Sequence, residues 1–320
     1  MVQPKLVNKR ARFKGVYTLL GLVMFILLMV VTMSIISPVF LTSGNIINVL
    51  RQVSLNGILA VGLTFVILTG GIDLSVGSLV AVTGVVVGSM LVNGYGWMEA
   101  VVAGVAISVL FGVFNGVMIA YCGLPPFIAT LAGQTIGRGF ALVFSDGKPY
   151  ALANKDFLNI GKGSALGIPI PIWILFIVCA AAMVILNKTT YGRHVYAFGG
   201  NRNATKLSGV KTKFNEMSVY VISALMAGIV GVILAARISS GQPTAGNGYE
   251  LDAIAAVAIG GTSMSGGIGT LSGTILGFII IGILSNSLTL LSVSSFYQQI
   301  VKGAIILIAV LMDIRSKHKE

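Results

Sequence analysis

Long apolar stretches, separated by short polar segments, run along almost the whole chain. A helix that crosses a bilayer needs about 20 mainly apolar residues, and by this criterion the pattern predicts about ten membrane-spanning helices. The stretches lie near residues 16–36, 46–69, 76–93, 98–121, 126–145, 169–187, 214–237, 250–265, 271–291 and 297–312. The second and eighth are the weakest, because they are short or carry charges. The pattern predicts an all-α polytopic membrane protein, with residues 1–320 forming a single transmembrane domain.

Two glycine-rich segments interrupt this pattern and predict short or broken helices. The first, GGIDLSVGS, runs from Gly70 to Ser78, and the second, GGTSMSGGIG, covers residues 260–269. At an ungapped offset of 196, Ile58, Ala60, Val61, Gly70, Gly71, Ile72 and Gly77 recur as Ile254, Ala256, Val257, Gly266, Gly267, Ile268 and Gly273. Transporters are often built from such repeats. We therefore expect an internal repeat, with chance matching of the abundant Gly and Ala as the alternative.

One polar segment, residues 187–213, stands out in length and charge, and we call it the basic loop. It carries six Lys or Arg residues and no acid. Five basic residues also precede the first apolar stretch, and three follow the last. Because basic segments stay on the cytoplasmic side of a membrane, and an even number of spans returns the chain to that side, we expect the basic loop and both termini to be cytoplasmic. The loop predicts a short surface helix between glycine hinges, on which a partner docks.

Composition excludes a soluble globular protein. Apolar residues make up 56% of the chain and charged residues only 9%, whereas soluble domains carry about 25% charged residues. The net charge of +12 does not predict nucleic-acid binding, because the basic residues flank the spans and lack an interleaved aromatic platform.

Asp73, in the first glycine-rich segment, has about 20 apolar neighbours on each side. An ionisable residue at membrane depth is by default a functional candidate, so Asp73 and Ser75 are candidates for the solute path. The alternative is a short turn in which one of them caps the next helix. The two interpretations do not exclude each other.

A second candidate stretch runs from Gln242 to Gly269. Glu250 and Asp252 open an otherwise apolar helix, where the helix dipole alone favours acids; the alternative is that they line a vestibule for a polyhydroxyl solute. Gln242, Thr262 and Ser263 add hydrogen-bonding groups to the same candidate path. Arg138 is expected to face the protein interior or water, and an ion pair with Asp73 is one option for it. Arg51 and Lys302, near span ends, are expected to snorkel.

Motifs for catalysis are missing from the sequence. No G-x-x-x-x-G-K-[ST] pattern occurs, and the two histidines lie in basic segments far from paired carboxylates or serines. We therefore expect no enzyme activity, no catalytic residue, no bound metal and no cofactor on this chain.

Five stretches resemble the permeases of bacterial ABC importers of the monosaccharide class, the ribose permeases most of all. They are VILTGGIDLSVGS (Val66–Ser78), PPFIATL (Pro125–Leu131), YAFGGNRNATKLSGV (Tyr196–Val210), QPTAGNGYELDAIAAV (Gln242–Val257) and SSFYQQIVKG (Ser294–Gly303). The resemblance covers nearly the whole chain. It implies a multi-pass protein of the bacterial inner membrane, a homodimer around the solute path, an ATP-binding subunit on a separate chain, where ATP would be bound, and an extracytoplasmic sugar-binding protein.

The family places a short coupling helix of its cytoplasmic loop in a groove of the ATPase. On this chain the resemblance maps that role to Gly199, Gly200, Asn201, Arg202, Asn203, Ala204, Thr205, Lys206 and Gly209. The family often has Glu-Ala-Ala followed by a glycine, whereas here Arg202 and Asn203 depart from that pattern. The resemblance therefore implies a docking role and no particular ion pair.

Two other classes of transport protein remain as alternatives. An ion-gradient-driven secondary transporter would use Asp73, Glu250 and Asp252 as proton or cation sites, and broken helices with a repeat suit it equally well. A basic docking loop suits it less well. A passive channel is disfavoured because the sequence has nothing like a charged filter ring.

Overall fold

The computed structural model describes residues 5–317, with side chains described at Tyr17, from Leu19 to Ile308 and at Leu311. Its helices are α1 (Lys5–Ile36), α2 (Ser43–Leu68), α3 (Val76–Val92), α4 (Trp97–Ala120), α5 (Pro126–Phe144), α6 (Lys155–Lys162), α7 (Ile170–Lys188), α8 (Thr190–Gly200), α9 (Arg202–Leu207), α10 (Thr212–Ile238), α11 (Tyr249–Ile259), α12 (Leu271–Leu290) and α13 (Ser295–Lys317). Two-residue strands form two small antiparallel pairs: β1 (Tyr150–Ala151) with β4 (Ser240–Gly241), and β2 (Ser164–Ala165) with β3 (Ile168–Pro169).

The helical membrane fold predicted from the apolar pattern is confirmed. Each predicted stretch contains one helix, and within residues 5–317 seven helices are long and apolar enough to cross a membrane: α1, α2, α4, α5, α7, α10 and α12. The second stretch was expected to be weak, yet α2 is a full span and is buried continuously from Val53 to Leu68. Its Arg51 lies two residues before this buried part, so the charge does not shorten the span.

The eighth stretch does not cross the membrane as one helix. Its helix, α11, has 11 residues, which gives a length of roughly 16 Å, about half of the hydrocarbon core. The chain before it, residues 242–248, folds back among the helices, where Gly246 lies against Gly77 at the start of α3. We call residues 242–248 the re-entrant segment.

Small residues allow the helices to pack closely around α10, which contacts α2, α3 and α4. A Cβ on Gly112 of α4 would come within 2.8 Å of the Tyr220 carbonyl oxygen, and one on Gly116 within 2.7 Å of the Met217 carbonyl oxygen. Because lipid offers no hydrophobic drive for helices to associate, such close backbone approach is a main source of their packing energy. The α4–α10 pair is therefore closely packed, backbone against backbone.

The positions of the helices match the internal repeat expected from the sequence. Adding the 196-residue offset to α3 gives residues 272–288, which lie inside α12. The same offset carries the final 16 residues of α2, Val53–Leu68, onto residues 249–264, which begin with α11. Each half therefore contains a helix, a glycine-rich break and a second helix, as an internal repeat requires.

The basic loop contains two helices, α8 and α9, rather than one. Gly199 and Gly200 were expected to form a hinge, but both lie in the last turn of α8. The break falls at Asn201, whose Oδ1 accepts from Ala204 N at 2.9 Å and so caps α9. The second predicted hinge is present, since Gly209 follows α9 with a φ of 81°. We call the end of the bundle that carries this loop the basic end.

Candidate functional site

The first glycine break holds Asp73 inside the bundle, between α2 and α3. The Asp73 side chain is 1% exposed. Its Oδ1 accepts hydrogen bonds from Ser75 N at 2.9 Å and from Ser75 Oγ at 2.6 Å. Asn115 on α4 donates to Ser75 Oγ at 3.0 Å. Asp73 thus closes a local turn that leads into α3. The N-cap of α3 is Ser75, which makes no side-chain cap hydrogen bond, so the expected helix cap is not formed by either residue. A role of Asp73 or Ser75 in the solute path stays a prediction.

Arg138 on α5 does not pair with Asp73. Its Nη1 donates to the carbonyl oxygens of Pro243 at 2.6 Å and Ala245 at 2.9 Å, and its Nη2 to that of Gly77 at 3.4 Å. The suggested Arg138–Asp73 pair is therefore wrong. The physical reason is that an irregular segment has carbonyls without helical partners, and the fork of donors on Arg138 satisfies two of them. Arg138 thereby ties the re-entrant segment to α3 and α5.

A cleft of about 590 Å³ opens beside Arg138 on the side of the bundle, between α5 and the re-entrant segment. Four more polar side chains line it: Gln134, Thr135, Thr244 and Asn247. Polar groups that face hydrocarbon are costly. The cleft therefore marks a face of this subunit that water or another protein surface covers.

Glu250, at the start of α11, contacts a residue that lines this cleft. Gln134 Nε2 donates to Glu250 Oε1 at 3.1 Å. Glu250 is 6% exposed, and its Oε2 has no hydrogen-bond partner among the described residues. Gln242, at the entry to the re-entrant segment, is exposed. The structure thus brings Arg138, Glu250 and the re-entrant segment together.

Asp252 is not part of this cleft. Its Oδ2 accepts from Lys302 Nζ on α13 at 2.8 Å, and the two side chains are 7% and 20% exposed. Lys302 therefore does not snorkel, because a buried carboxylate holds its ammonium inside. Arg51 Nη2 donates to the carbonyl oxygen of the exposed Lys162 at 2.9 Å, so its expected snorkelling stays a prediction. The expectation was wrong for Lys302 because its acceptor, Asp252, lies on a distant element that sequence spacing does not show.

The second glycine break meets the first at the basic end. Gly267 N donates to the Leu68 carbonyl oxygen, the last of α2, at 2.9 Å. Thr262 and Ser263 are buried in this break, where Ser263 N donates to the Ile268 carbonyl oxygen at 2.8 Å. Both residues were predicted for the solute path. They lie where the two glycine breaks meet and are not among the residues that line the cleft.

Gly199 of α8 fits between the two breaks. A Cβ at this position would collide with the Leu68 carbonyl oxygen and with Gly267 N, whereas one on Gly200 would meet nothing within 4 Å. We call Leu68, Gly199 and Gly267 the glycine junction. Beside it, Tyr196 Oη donates to the Gly269 carbonyl oxygen at 3.1 Å. Burial raises the pKa of the Tyr196 phenol, so it remains a protonated donor.

Arg202, the first residue of α9, is held by the bundle. Its Nη2 lies 2.6 Å from Glu216 Oε2 on α10, and its guanidinium lies 5.1 Å from the centre of the Phe198 ring. The Arg202 side chain is 55% exposed and that of Glu216 only 7%. The basic loop is thus attached to the spans at the glycine junction and at Arg202–Glu216.

Several residues that build these sites were not predicted from the sequence. Gln134, Asn115 and Glu216 are polar side chains within helices α5, α4 and α10. The same signal that pointed to Arg138 and Asp73, a polar residue in an apolar stretch, could have found them. Asn247 and Thr244 lie inside the candidate stretch from Gln242 to Gly269 but were not singled out there.

A helical bundle with two repeat-related breaks and a polar cleft at its side has the architecture of a membrane permease. The chain matches the family described as branched-chain amino acid transport system / permease component over residues 45–310. It therefore belongs to this family of multi-pass permease components.

Relatives in the family are sugar permeases by name. The chain is 47% identical to the ribose import permease protein of Bacillus subtilis (strain 168), covering 96% of both chains. It is 47% identical to the ribose import permease protein of Escherichia coli (strain K12), covering 90% of this chain and 91% of the relative. The D-allose transport system permease protein of the same strain is 38% identical, with 90% of each chain covered. No solved structure matches the chain.

Proposed function

We propose that this chain is the membrane-spanning subunit of an ATP-driven importer and that it carries ribose into the bacterial cytoplasm. The choice of ribose rests on how the sequence identity of this chain differs among permeases named for different sugars. The ribose permeases are 46–47% identical to this chain, whereas the permeases named for D-allose and L-arabinose are 38% identical and one named for xylose is 34% identical.

The orientation follows from charge. The basic loop carries six cations and no acid, and such segments stay in the cytoplasm. The basic end then faces the cytoplasm of a cell whose inner membrane holds the protein, with both termini on that side. The loop between α5 and α7, which contains α6, faces outward, where a sugar-binding protein releases its sugar.

The basic loop is the docking surface for an ATP-binding subunit on a separate chain. ATP is bound and hydrolysed there, and this chain needs no cofactor of its own. The contacts of Gly199 with Leu68 and Gly267 support a direct mechanical route, because a push on α8 and α9 reaches the breaks of both repeats at once. Packed elements shift between discrete arrangements rather than deforming continuously, so the loop selects between inward-open and outward-open states.

A second copy of the chain completes the path for the sugar. The cleft beside Arg138 carries amide and hydroxyl side chains and is open at the side of the bundle, where a lone subunit in lipid would leave these groups facing hydrocarbon. Two clefts facing each other across a homodimer enclose a channel of hydroxyl, amide and backbone groups. Such groups suit a neutral polyhydroxyl solute that passes without tight binding.

An ion-gradient-driven transporter is the second candidate. Glu250 favours it, because its Oε2 is buried without a partner among the described residues. The surroundings of the other two acids argue against it. Ser75 engages Asp73, and Lys302 already neutralises Asp252.

The test is reconstitution of this chain in proteoliposomes with its ATP-binding subunit and a ribose-loaded binding protein. We expect ribose uptake that requires ATP on the side of the basic loop, and none when the ATP-binding subunit cannot hydrolyse. Uptake by this chain alone, driven by a proton or sodium gradient, would reject the importer. Uptake of allose, arabinose or xylose with their binding proteins, without uptake of ribose, would support an ATP-driven importer but contradict ribose as its substrate.

A further inference from the structure

A second pocket, of about 480 Å³, lies at the basic end, where α4 ends and α10 begins. Four cationic side chains line it, and no acidic residue does: Arg202, Lys206, Lys211 and Lys213. Glu216 holds Arg202. Within the described part of the chain, no carboxylate pairs with any of the three lysines. The pocket therefore concentrates positive charge that its own protein does not neutralise.

The first turn of α10 adds to this positive field. Lys211, at the N-cap of α10, makes no side-chain cap hydrogen bond. The N–H groups of a first turn have no partners within the helix, and the helix dipole places partial positive charge there. The lysines and the helix terminus thus favour the same kind of ligand, a compact anion with several acceptor oxygens.

The rim of the pocket is aromatic and lies at the ends of two spans. Tyr121 follows the last residue of α4, Phe214 is the third residue of α10, and their side chains are 50% and 53% exposed. Lys213 Nζ lies 5.4 Å from the centre of the Tyr121 ring. Aromatic side chains at span ends mark the level of the lipid headgroups. The pocket therefore opens at the depth where phosphates of a bilayer lie.

We propose that this pocket binds the headgroup of an anionic phospholipid. The phosphodiester lies among Lys206, Lys211 and Lys213, and the acyl chains leave past Phe214 and Tyr121. Basic pockets between spans on the cytoplasmic side are suited to such headgroups. A soluble anion or an acidic protein surface would use the cations as well, but neither needs an apolar rim at the membrane boundary. The proposal does not depend on which sugar is carried.

The test is native mass spectrometry of the purified full chain, titrated with phosphatidylglycerol or phosphatidylcholine. We expect a resolved phosphatidylglycerol adduct that Lys211→Gln/Lys213→Gln weakens about tenfold or more, given the worth of each lysine near an anionic surface. Lys211→Arg/Lys213→Arg should retain it. The matched control is Lys188→Gln/Arg193→Gln, which removes two charges from the same loop at exposed positions outside the pocket. This control should bind like the original chain.

Three results would overturn the proposal. The first is equal binding of the two lipids, and the second is equal weakening by the control, which would mean diffuse surface attraction. The third is displacement of the lipid by millimolar inorganic phosphate or by the ATP-binding subunit, which would assign the pocket to a soluble anion or to protein docking. Persistence of the adduct in the presence of both competitors supports the lipid.

Discussion

Arg202 and Glu216 join the basic loop to the central helix of the bundle. The Nη2–Oε2 distance is 2.6 Å, and the pair links a half-exposed cation on α9 with a buried acid in the second turn of α10. A wholly exposed pair would contribute little to stability. Here one partner is buried, so loss of the other leaves a charge without compensation. Arg202 lies in the segment expected to dock a partner, and it is thus also bonded to the helical bundle.

The first prediction concerns this pair. Arg202→Ala should lower the free energy of unfolding by about 1–3 kcal/mol, because it leaves the Glu216 carboxylate buried and unpaired. It should also lower sugar transported per ATP hydrolysed, since the basic loop loses one of its attachments to the spans. Thermal unfolding of the purified chain and coupled assays in proteoliposomes measure the two effects.

A double-mutant cycle isolates the interaction. If the pair acts as described, Glu216→Gln/Arg202→Ala should be less damaging than the sum of the single changes. Additive effects would mean that Arg202 acts through an external contact alone.

The second prediction compares two adjacent glycines. Gly199→Ala should reduce ATP-dependent uptake severely and lower thermal stability, because its Cβ would collide with backbone atoms of Leu68 and Gly267. Overpacking of this kind typically costs about 1–3 kcal/mol. Gly200→Ala is the matched control, as its Cβ meets nothing within 4 Å and its helical backbone accepts alanine. Equal behaviour of the two variants in uptake and unfolding would remove the glycine junction from the mechanism.

The glycine-rich segments predicted both helix breaks, but the sequence could not show that the two breaks contact each other. The apolar pattern located the helices because each span must bury about 20 residues in lipid, a local property of sequence. The hydrogen bond from Gly267 N to the Leu68 carbonyl oxygen joins residues almost 200 positions apart. The repeat made their equivalence predictable, whereas their contact depends on how the two halves pack.

The solute-path candidates lie at separate places in the fold, which sequence spacing could not show. Thr262 was chosen for its hydroxyl and lies where the two glycine breaks meet. Asp252 was chosen as an acid at the start of an apolar helix, and Lys302, 50 residues later, neutralises it. Arg138 lines the cleft and Glu250 contacts its lining residue Gln134, yet the folding-back of residues 242–248 beside them has no periodic signal. Hydrophobic patterning carries little information about such irregular backbone.

The third prediction concerns the buried pair of Asp252 and Lys302. Asp252→Asn should destabilise the chain by about 3 kcal/mol, because the ammonium is left buried without its counter-ion. Replacing both partners by apolar residues, Asp252→Leu/Lys302→Met, should restore most of the lost stability. Thermal unfolding in detergent is the measurement. Failure of the double variant to recover, while it still inserts in the membrane, would show that the pair has a role beyond neutralising itself.

The fourth prediction tests the cleft. Asn247 lines it, and its side chain is exposed. Asn247→Leu should therefore leave thermal stability unchanged but lower sugar uptake several-fold, because a hydroxyl-rich solute loses a polar contact and meets an apolar one. Asn93→Leu, at an exposed position after α3 and away from the cleft, is the control. Normal uptake by Asn247→Leu would place the path elsewhere.

The fifth prediction separates the two roles weighed for Asp73. Its Oδ1 accepts from Ser75 N at 2.9 Å, a bond that an Asn side-chain oxygen can also accept. Asp73→Asn should therefore keep stability and uptake close to those of the original chain. Asp73→Ala should lower the free energy of unfolding by about 1 kcal/mol or more through loss of the hydrogen bonds to Ser75. A stable Asp73→Asn variant without uptake would contradict this expectation, because it would show that transport needs the negative charge as well as the turn.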